Sequence, residues 1–251
     1  MRLDVTKSPY GPLHAIATGA VLLFVVLAPV VCKFGFGVFW RMFLYGAKMP
    51  SDAKSIANVL ASTVGVFGGT ALLVWASTLF TRRNEADSSD ALSVRERKEG
   101  LLFALKATPP ITVATLVVGL ACSTAIEKLA GVKLADQSLI DFLRGGGSSL
   151  AAKSIVALLV IVEAPLVEEP LFRGIMFRGF ARSMPIWCAM LLSGFVFALV
   201  HMNAATFIPL WFLGVMFAWL YMKTGTILAP MLVHFLFNLV NFCSAFILPG
   251  E

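Results

Sequence analysis

The sequence alternates between long apolar runs and short polar connections, a pattern typical of helices that cross a membrane. A helix rises about 1.5 Å per residue, so roughly 20 apolar residues cross a hydrocarbon layer about 30 Å thick. Runs of about this length lie at residues 13–32, 56–80, 109–126, 152–172, 186–202, 205–222 and 227–247. The pattern therefore predicts an all-α fold, a polytopic transmembrane helical bundle of about seven spans.

The polar connections divide this bundle into two predicted units. Residues 1–149 form an N-terminal transmembrane region, and its most polar stretch, 81–106, contains six basic residues and is predicted to be a loop. From residue 150 to 247 the chain is almost continuously apolar, which predicts a second membrane domain. Basic residues are more frequent on the side that holds the N-terminus and the 81–106 loop. The positive-inside rule then predicts an integral protein of the cell membrane with a cytoplasmic N-terminus.

Composition supports the membrane assignment and excludes one class of partner. The chain is 59% hydrophobic and 14% charged, whereas soluble domains have about 25% charged residues. The net charge of +6 does not indicate a nucleic-acid partner, because the basic residues flank apolar runs. The four cysteines stand singly and form no C-x-x-C pair. The lipid bilayer is therefore the predicted surrounding of most of the chain.

Three charged residues interrupt the apolar run near its middle. Glu168, Glu169 and Arg173 would each cost about 2.5–3.5 kcal/mol at the centre of a bilayer, so we expect them to face the protein interior. Glu169 and Arg173 are four residues apart, the spacing of a helical ion pair. Glu168 points about 100° away around the helix and stays free, as a general acid or base requires. Pro165 and Pro170 lack an N–H group, so we expect freed backbone carbonyls near these acids.

Three further polar residues lie in the following apolar runs. His201 ends one run, and His234 and Asn238 share one face of a later helix at a spacing of four residues. A carboxylate and a histidine can together deprotonate water, and a second histidine and an amide can donate hydrogen bonds to an oxyanion. These residues therefore have the chemistry needed to hydrolyse an amide bond.

The same residues also suit a metal. One glutamate and two histidines form a known catalytic zinc site, so His201 and His234 are candidate ligands of a divalent metal such as zinc. The sequence contains no H-E-x-x-H motif, and the metal prediction therefore has no local motif to support it.

Three short motifs resemble those of the CAAX protease and bacteriocin-processing (CPBP, also called Abi) intramembrane proteases. They are Glu168-Glu169-x-x-x-Arg173, Phe197-x-x-x-His201 and His234-x-x-x-Asn238. The type II CAAX prenyl endopeptidase belongs to that family, and the resemblance covers about residues 150–245. By this resemblance, Glu169 and Arg173 support a catalytic site.

The resemblance implies an intramembrane endopeptidase with a peptide or protein substrate at the membrane. Glu168 would be the general base, helped by His201 in activating water, while His234 and Asn238 would stabilise the oxyanion. Prenylated CAAX peptides are one candidate class of substrate. The predicted spans, however, put His201 near the opposite end of its helix from Glu168, whereas a shared site requires both at a similar depth.

Two other functions are compatible with the same polar residues. A non-enzymatic membrane protein, such as an immunity or scaffold factor of the same family, would keep the charged cluster for packing alone. A proton-coupled transporter would use the acids and histidines as a relay. The chain has no evident internal repeat, which argues against a transporter.

Overall fold

A computed structural model describes residues 93–131, 150–201 and 203–247, and every regular element within these ranges is a helix. The all-α prediction is therefore confirmed for the described part of the chain. The predicted spans at 13–32 and 56–80 lie outside the described residues, so the number of seven spans stays a prediction.

The first described helix, α1 (Val94–Ala130), is longer than the predicted span at 109–126. Its first turns occupy part of the 81–106 stretch, so the prediction of a loop was wrong from residue 94 onwards. The helix begins early because Ser93 and Glu96 form a capping box. The Glu96 amide donates to the Ser93 hydroxyl at 3.2 Å, and the Ser93 amide donates to the Glu96 carboxylate at 2.9 Å.

Residues 150–183 form one continuous helix with two wider, π-helical parts, called here the 150–183 helix. In order, its parts are α2 (Leu150–Leu158), a π-helical segment (Leu159–Glu163), α3 (Ala164–Glu169), a second π-helical segment (Pro170–Phe177) and α4 (Arg178–Ser183). The predicted span at 152–172 ended too early. Arg173 is fully buried, as expected from the sequence, and the helix continues past it. Wider turns of this kind are frequent at functional sites.

Three helices complete the described chain, and each agrees with its predicted span to within two residues. They are α5 (Ile186–Val200), α6 (Phe207–Thr224) and α7 (Leu228–Ile247). Pro185 immediately precedes α5, and Gly225, with a φ of 70°, ends α6. Strong turn residues at the ends of apolar runs explain why these boundaries could be predicted.

Two of these helices are long and apolar enough to cross a membrane: Val94–Leu129 and Phe207–Thr224. Two shorter apolar helices are Ile186–Val200 and Leu228–Ser244. Many large apolar side chains also remain exposed on the outer faces of the helices. An apolar outer surface is expected where lipid, rather than water, surrounds a helical bundle.

The two helices α5 and α6 cross in backbone contact. A Cβ atom added to Gly194 would lie 2.8 Å from the Val215 side chain and 2.9 Å from the Trp211 carbonyl oxygen, and Gly214 faces Gly194 from the other helix. Small residues allow such close crossings in membrane proteins. Arg173 of the 150–183 helix contacts α6 at the same place, through the carbonyl of Gly214.

An aromatic core joins the 150–183 helix to α5 and α6. Phe172, Phe197 and Phe217 are each almost completely buried, one from each of these helices. The Phe172 and Phe197 rings meet edge to face at 5.2 Å, and those of Phe197 and Phe217 at 6.0 Å. The candidate site is built directly against this core.

Candidate functional site

A buried carboxylate on the 150–183 helix forms the centre of the site. Oε1 of Glu169 accepts hydrogen bonds from Nη1 of Arg173 at 3.1 Å and from Nδ1 of His234 at 2.9 Å. The side chains of Glu169 and Arg173 are 0% exposed, and that of His234 is 5% exposed. The ion pair predicted from the spacing thus forms, and the histidine contact ties α7 to it.

Arg173 is held by hydrogen bonds at both terminal nitrogens and by aromatic rings, while its buried Nε has no hydrogen-bond partner. Its Nη2 donates to the carbonyl oxygen of Gly214 at 3.0 Å. The guanidinium carbon lies 4.7 Å from the ring centroid of Phe197 and 5.0 Å from that of Phe217, within the range of cation–π attraction. The cation therefore fixes the orientation of Glu169 relative to α5 and α6.

Glu168 is the acid that remains without a strong partner. Its Oε2 lies 4.0 Å from Nε2 of His234, which is too long for a direct hydrogen bond, and this oxygen is buried without a hydrogen-bond partner. Its side chain is 26% exposed, unlike that of Glu169. The imidazole of His234 thus lies between two carboxylates, one bound through Nδ1 and one facing Nε2.

His201 and Glu168 are each one helical turn from a shared aromatic contact. Helix α5 runs antiparallel to the C-terminal half of the 150–183 helix, and Phe197 packs on Phe172. His201 lies one turn after Phe197 on α5, and Glu168 lies one turn before Phe172 on the 150–183 helix. Because the helices are antiparallel, both residues lie on the same side of the aromatic contact. The predicted spans put these two residues at different depths because they ended the earlier helix before Ser183.

A backbone contact assigns the proton of His201. Its Nδ1 lies 2.7 Å from the carbonyl oxygen of Phe197. A carbonyl oxygen can only accept, so Nδ1 carries the hydrogen, and the neutral ring has its lone pair on Nε2. The His201 ring is exposed and contacts the Phe197 ring, which also contacts the ring of His234. Phe197 therefore links the two histidines.

A proline determines where Asn238 binds. The Ala164 amide donates to the carbonyl oxygen of Leu159, five residues back. With the same spacing of five residues, the N–H of residue 165 would donate to the carbonyl oxygen of Val160, but Pro165 has no N–H. The side-chain amide of Asn238 donates to that carbonyl instead, at 2.8 Å. The prediction that a proline frees a carbonyl near the acids is confirmed at this position.

Two residues of α6 belong to the site although the sequence did not single them out. Gly214 supplies the carbonyl that binds Arg173, and the ring of Phe217 stacks on the imidazole of His234 at a centroid distance of 4.9 Å. A glycine within an apolar helix is a signal for close contact. No comparable signal distinguishes Phe217 from the other apolar residues of α6.

The structure gives the metal prediction no ligand set. Within residues 93–131, 150–201 and 203–247, no group of three or more His, Cys, Asp or Glu side chains could hold a metal ion. The described donors therefore form no metal site of three ligands, and we derive no step through a metal.

The described chain is thus an all-helical, membrane-type bundle whose interior holds a cluster of glutamate, arginine and histidine side chains. Residues 150–240 match the family model described as "Type II CAAX prenyl endopeptidase Rce1-like". The match confirms the resemblance drawn from the three motifs, and it includes every residue of the cluster. No curated protein and no solved structure matches the chain.

Proposed function

We propose that this chain is an intramembrane endopeptidase that hydrolyses a peptide bond of a membrane-associated peptide or protein. The observation that carries the proposal is the position of Glu168, partly exposed and 4.0 Å from His234 beside a fully buried ion pair. The family match over the same residues supports the reaction class. The geometry favours neither a scaffold protein nor a transporter.

In this proposal Glu168 and His201 activate a water molecule. Glu168 takes one proton from the water, and Nε2 of His201 accepts a hydrogen bond from it. The water oxygen then bonds to the carbonyl carbon of the substrate, and a tetrahedral intermediate forms. As the C–N bond breaks, the proton held by Glu168 passes to the leaving nitrogen. The products are a carboxylic acid and an amine, and both carboxylate and histidine return to their starting states.

His234 and Asn238 are the proposed donors to the oxyanion. A side-chain amide has two N–H groups, and Val160 occupies only one of them in Asn238. His234 uses Nδ1 for Glu169 and presents Nε2 on the side of Glu168. Loss of one donor from such a site reduces kcat by about 10²–10³-fold.

We further propose that the basic end of the bundle faces the cytoplasm. Gly100 near the start of α1 packs on Thr224 at the end of α6, so these termini share one end. The basic residues near it are Arg95, Arg97, Lys98, Arg178, Arg182 and Lys223. Towards the opposite end of the bundle, the basic residues within the described ranges are only Lys128 and Lys153. The positive-inside rule then orients the bundle in the cell membrane.

The first test compares Glu168→Gln with Glu163→Gln, a matched control that removes a charge from the same helix. Membrane proteomes of cells with each variant would be searched for uncut precursors. A prenylated CAAX peptide would be the first purified substrate, chosen because of the family match. We expect Glu168→Gln to reduce cleavage about 10²–10⁴-fold, the usual contribution of a general base, while Glu163→Gln retains it.

Thermal unfolding of both variants in detergent controls for misfolding. The proposal is wrong if folded Glu168→Gln and His201→Ala variants both cleave as the wild type does, or if no precursor accumulates with either. Uptake by proteoliposomes that depended on Glu168, without any cleavage, would instead favour the transporter.

A further inference from the structure

A small cleft at the basic end of the bundle is separate from the cluster around Glu169. It has a volume of about 210 Å³ and lies between the first turns of α1 and the end of α6. Its lining consists of Glu96, Glu99, Gly100, Phe103, Lys223 and Thr224. We propose that this cleft binds the headgroup of a membrane phospholipid that carries a primary ammonium group beside its phosphate.

The shape of the cleft follows from the spacing of its residues on α1. They recur at positions 96, 99, 100 and 103, so they lie on one face of the helix. Gly100 is the buried residue of this face, and a Cβ atom there would lie 3.2 Å from the side chains of Thr224 and Thr226. Because the missing side chain lets α1 approach α6 closely, Glu96 and Glu99 form one wall of the cleft and Lys223 belongs to the other.

The charged groups of the lining retain hydrogen-bonding capacity for a ligand. Oε2 of Glu96 accepts from the amide and the hydroxyl of Ser93, and Oε1 of Glu99 accepts from Nε of Arg95. In the contacts among the described residues, the second oxygen of each carboxylate accepts no hydrogen bond and Lys223 forms no ion pair. The cleft therefore offers two carboxylate oxygens on one wall and an ammonium group on the other.

The balance of charge selects a zwitterion rather than an anion. Two carboxylates and Lys223 line the cleft, and the Arg95 guanidinium pairs with Glu99 at 2.9 Å, so these groups sum to zero charge. A headgroup with one positive and one negative group keeps that balance. Its primary ammonium donates to the carboxylate oxygens, while Lys223 donates to its phosphate. The quaternary ammonium of a choline headgroup has no N–H to donate, so the carboxylates discriminate against it.

The apolar surface beside the cleft fits the acyl chains of a lipid. The ring of Phe103 contacts that of Trp219 at 5.8 Å, and Trp219 is 37% exposed. Partly exposed tryptophan is enriched where a membrane meets water. Leu102 and Leu105, each about half exposed, continue the apolar surface along α1. A lipid covers this surface when its headgroup is bound, whereas a soluble phosphate ester would leave it uncovered, so we commit to a membrane lipid.

Native mass spectrometry of the purified full chain tests the proposal with phosphatidylethanolamine, phosphatidylcholine and phosphatidylglycerol that have identical acyl chains. The wild type should bind phosphatidylethanolamine about 1.5–5-fold more tightly than phosphatidylcholine, the range of exposed ion pairs. The double variant Glu96→Gln/Glu99→Gln keeps a side-chain oxygen for the Ser93 contacts and should lose this preference. Lys223→Met should weaken the binding of all three lipids by about 1.5–5-fold, because each contains the phosphate. The same ranking should appear in the thermal stabilisation of the protein by added lipid.

Glu127→Gln and Lys106→Met are the matched controls, because each removes one exposed charge from α1 outside the cleft. Both should bind the lipids as the wild type does, and thermal unfolding without added lipid controls for misfolding. Equal binding of phosphatidylethanolamine and phosphatidylcholine by the wild type overturns the proposal, as does an undiminished preference in the double variant. Tighter binding of phosphatidylglycerol also overturns it, since the surrounding basic residues would then select an anion. None of these outcomes depends on whether the chain cleaves a peptide.

Discussion

Replacing Arg173 by methionine should destabilise the protein more than any exposed substitution. The change leaves the Glu169 carboxylate in a fully buried position with His234 as its remaining partner, and it leaves the Gly214 carbonyl without its donor. Methionine fills much of the volume and contacts the same phenylalanine rings. The main loss is therefore electrostatic rather than a cavity.

The size of the effect follows from these contacts. Removing one partner of a buried ion pair costs about 3–5 kcal/mol, because the other charge is left uncompensated. The lost hydrogen bond to Gly214 contributes about 1–3 kcal/mol where the acceptor stays buried, and it overlaps with the first term. We therefore expect Arg173→Met to lower the free energy of unfolding by about 3–5 kcal/mol.

A double-mutant cycle with Glu169→Leu isolates the pair. Each single variant leaves one charge of this pair buried, whereas the double variant removes both charges of the pair. The double variant should therefore be less destabilised than the two single effects combined, with a coupling energy of about 2–3 kcal/mol. Reversible unfolding in mixed detergent micelles gives the four free energies. Additivity to within about 0.5 kcal/mol, or a wild-type stability for Arg173→Met, would refute the reasoning.

Two further predictions address the helix crossing and the start of α1. Gly194→Ala should lower the free energy of unfolding by about 1–3 kcal/mol, because its methyl group would overlap backbone atoms of α6. Gly119→Ala, whose added atom would make only ordinary contacts, should be neutral or stabilising in the same detergent assay; equal losses would contradict the close crossing. Hydrogen bonds from the hydroxyl and amide of Ser93 lower the pKa of Glu96 below its ordinary value. Stability from this contact is therefore present at neutral pH and is lost as the pH falls through the lowered pKa. Hydrogen-exchange protection of the first turn of α1 should decrease in that acidic range, and Ser93→Ala should weaken this dependence on pH, because only the amide donor at position 93 remains; protection that is independent of pH in the wild type would count against it.

The sequence was most informative where apolar runs end in strong turn residues. Helices α5, α6 and α7 follow from such runs, and the Glu169–Arg173 pair follows from helical periodicity. The beginning of α1 was missed because a charged, exposed helix has the composition of a loop. The Ser93-x-x-Glu96 pattern was the available signal.

Other features of the site depend on tertiary packing and have no local signal. The contact between Glu169 and His234 joins residues 65 positions apart. The sequence predicted that Arg173 faces the interior, but not that the ring of Phe197 and the carbonyl of Gly214 receive it. The depth of His201 could be read only once the true end of the preceding helix was known.

The hydrogen bond from the Asn238 side-chain amide to the carbonyl of Val160 constrains which substitutions the sequence tolerates. Any residue other than proline at position 165 would restore a main-chain donor, which would compete with Asn238 for the same acceptor. Substitutions at these two positions should therefore be interdependent, so that a change at one alters which residues are tolerated at the other. A missing hydrogen atom in one helix thus constrains the choice of side chain in another.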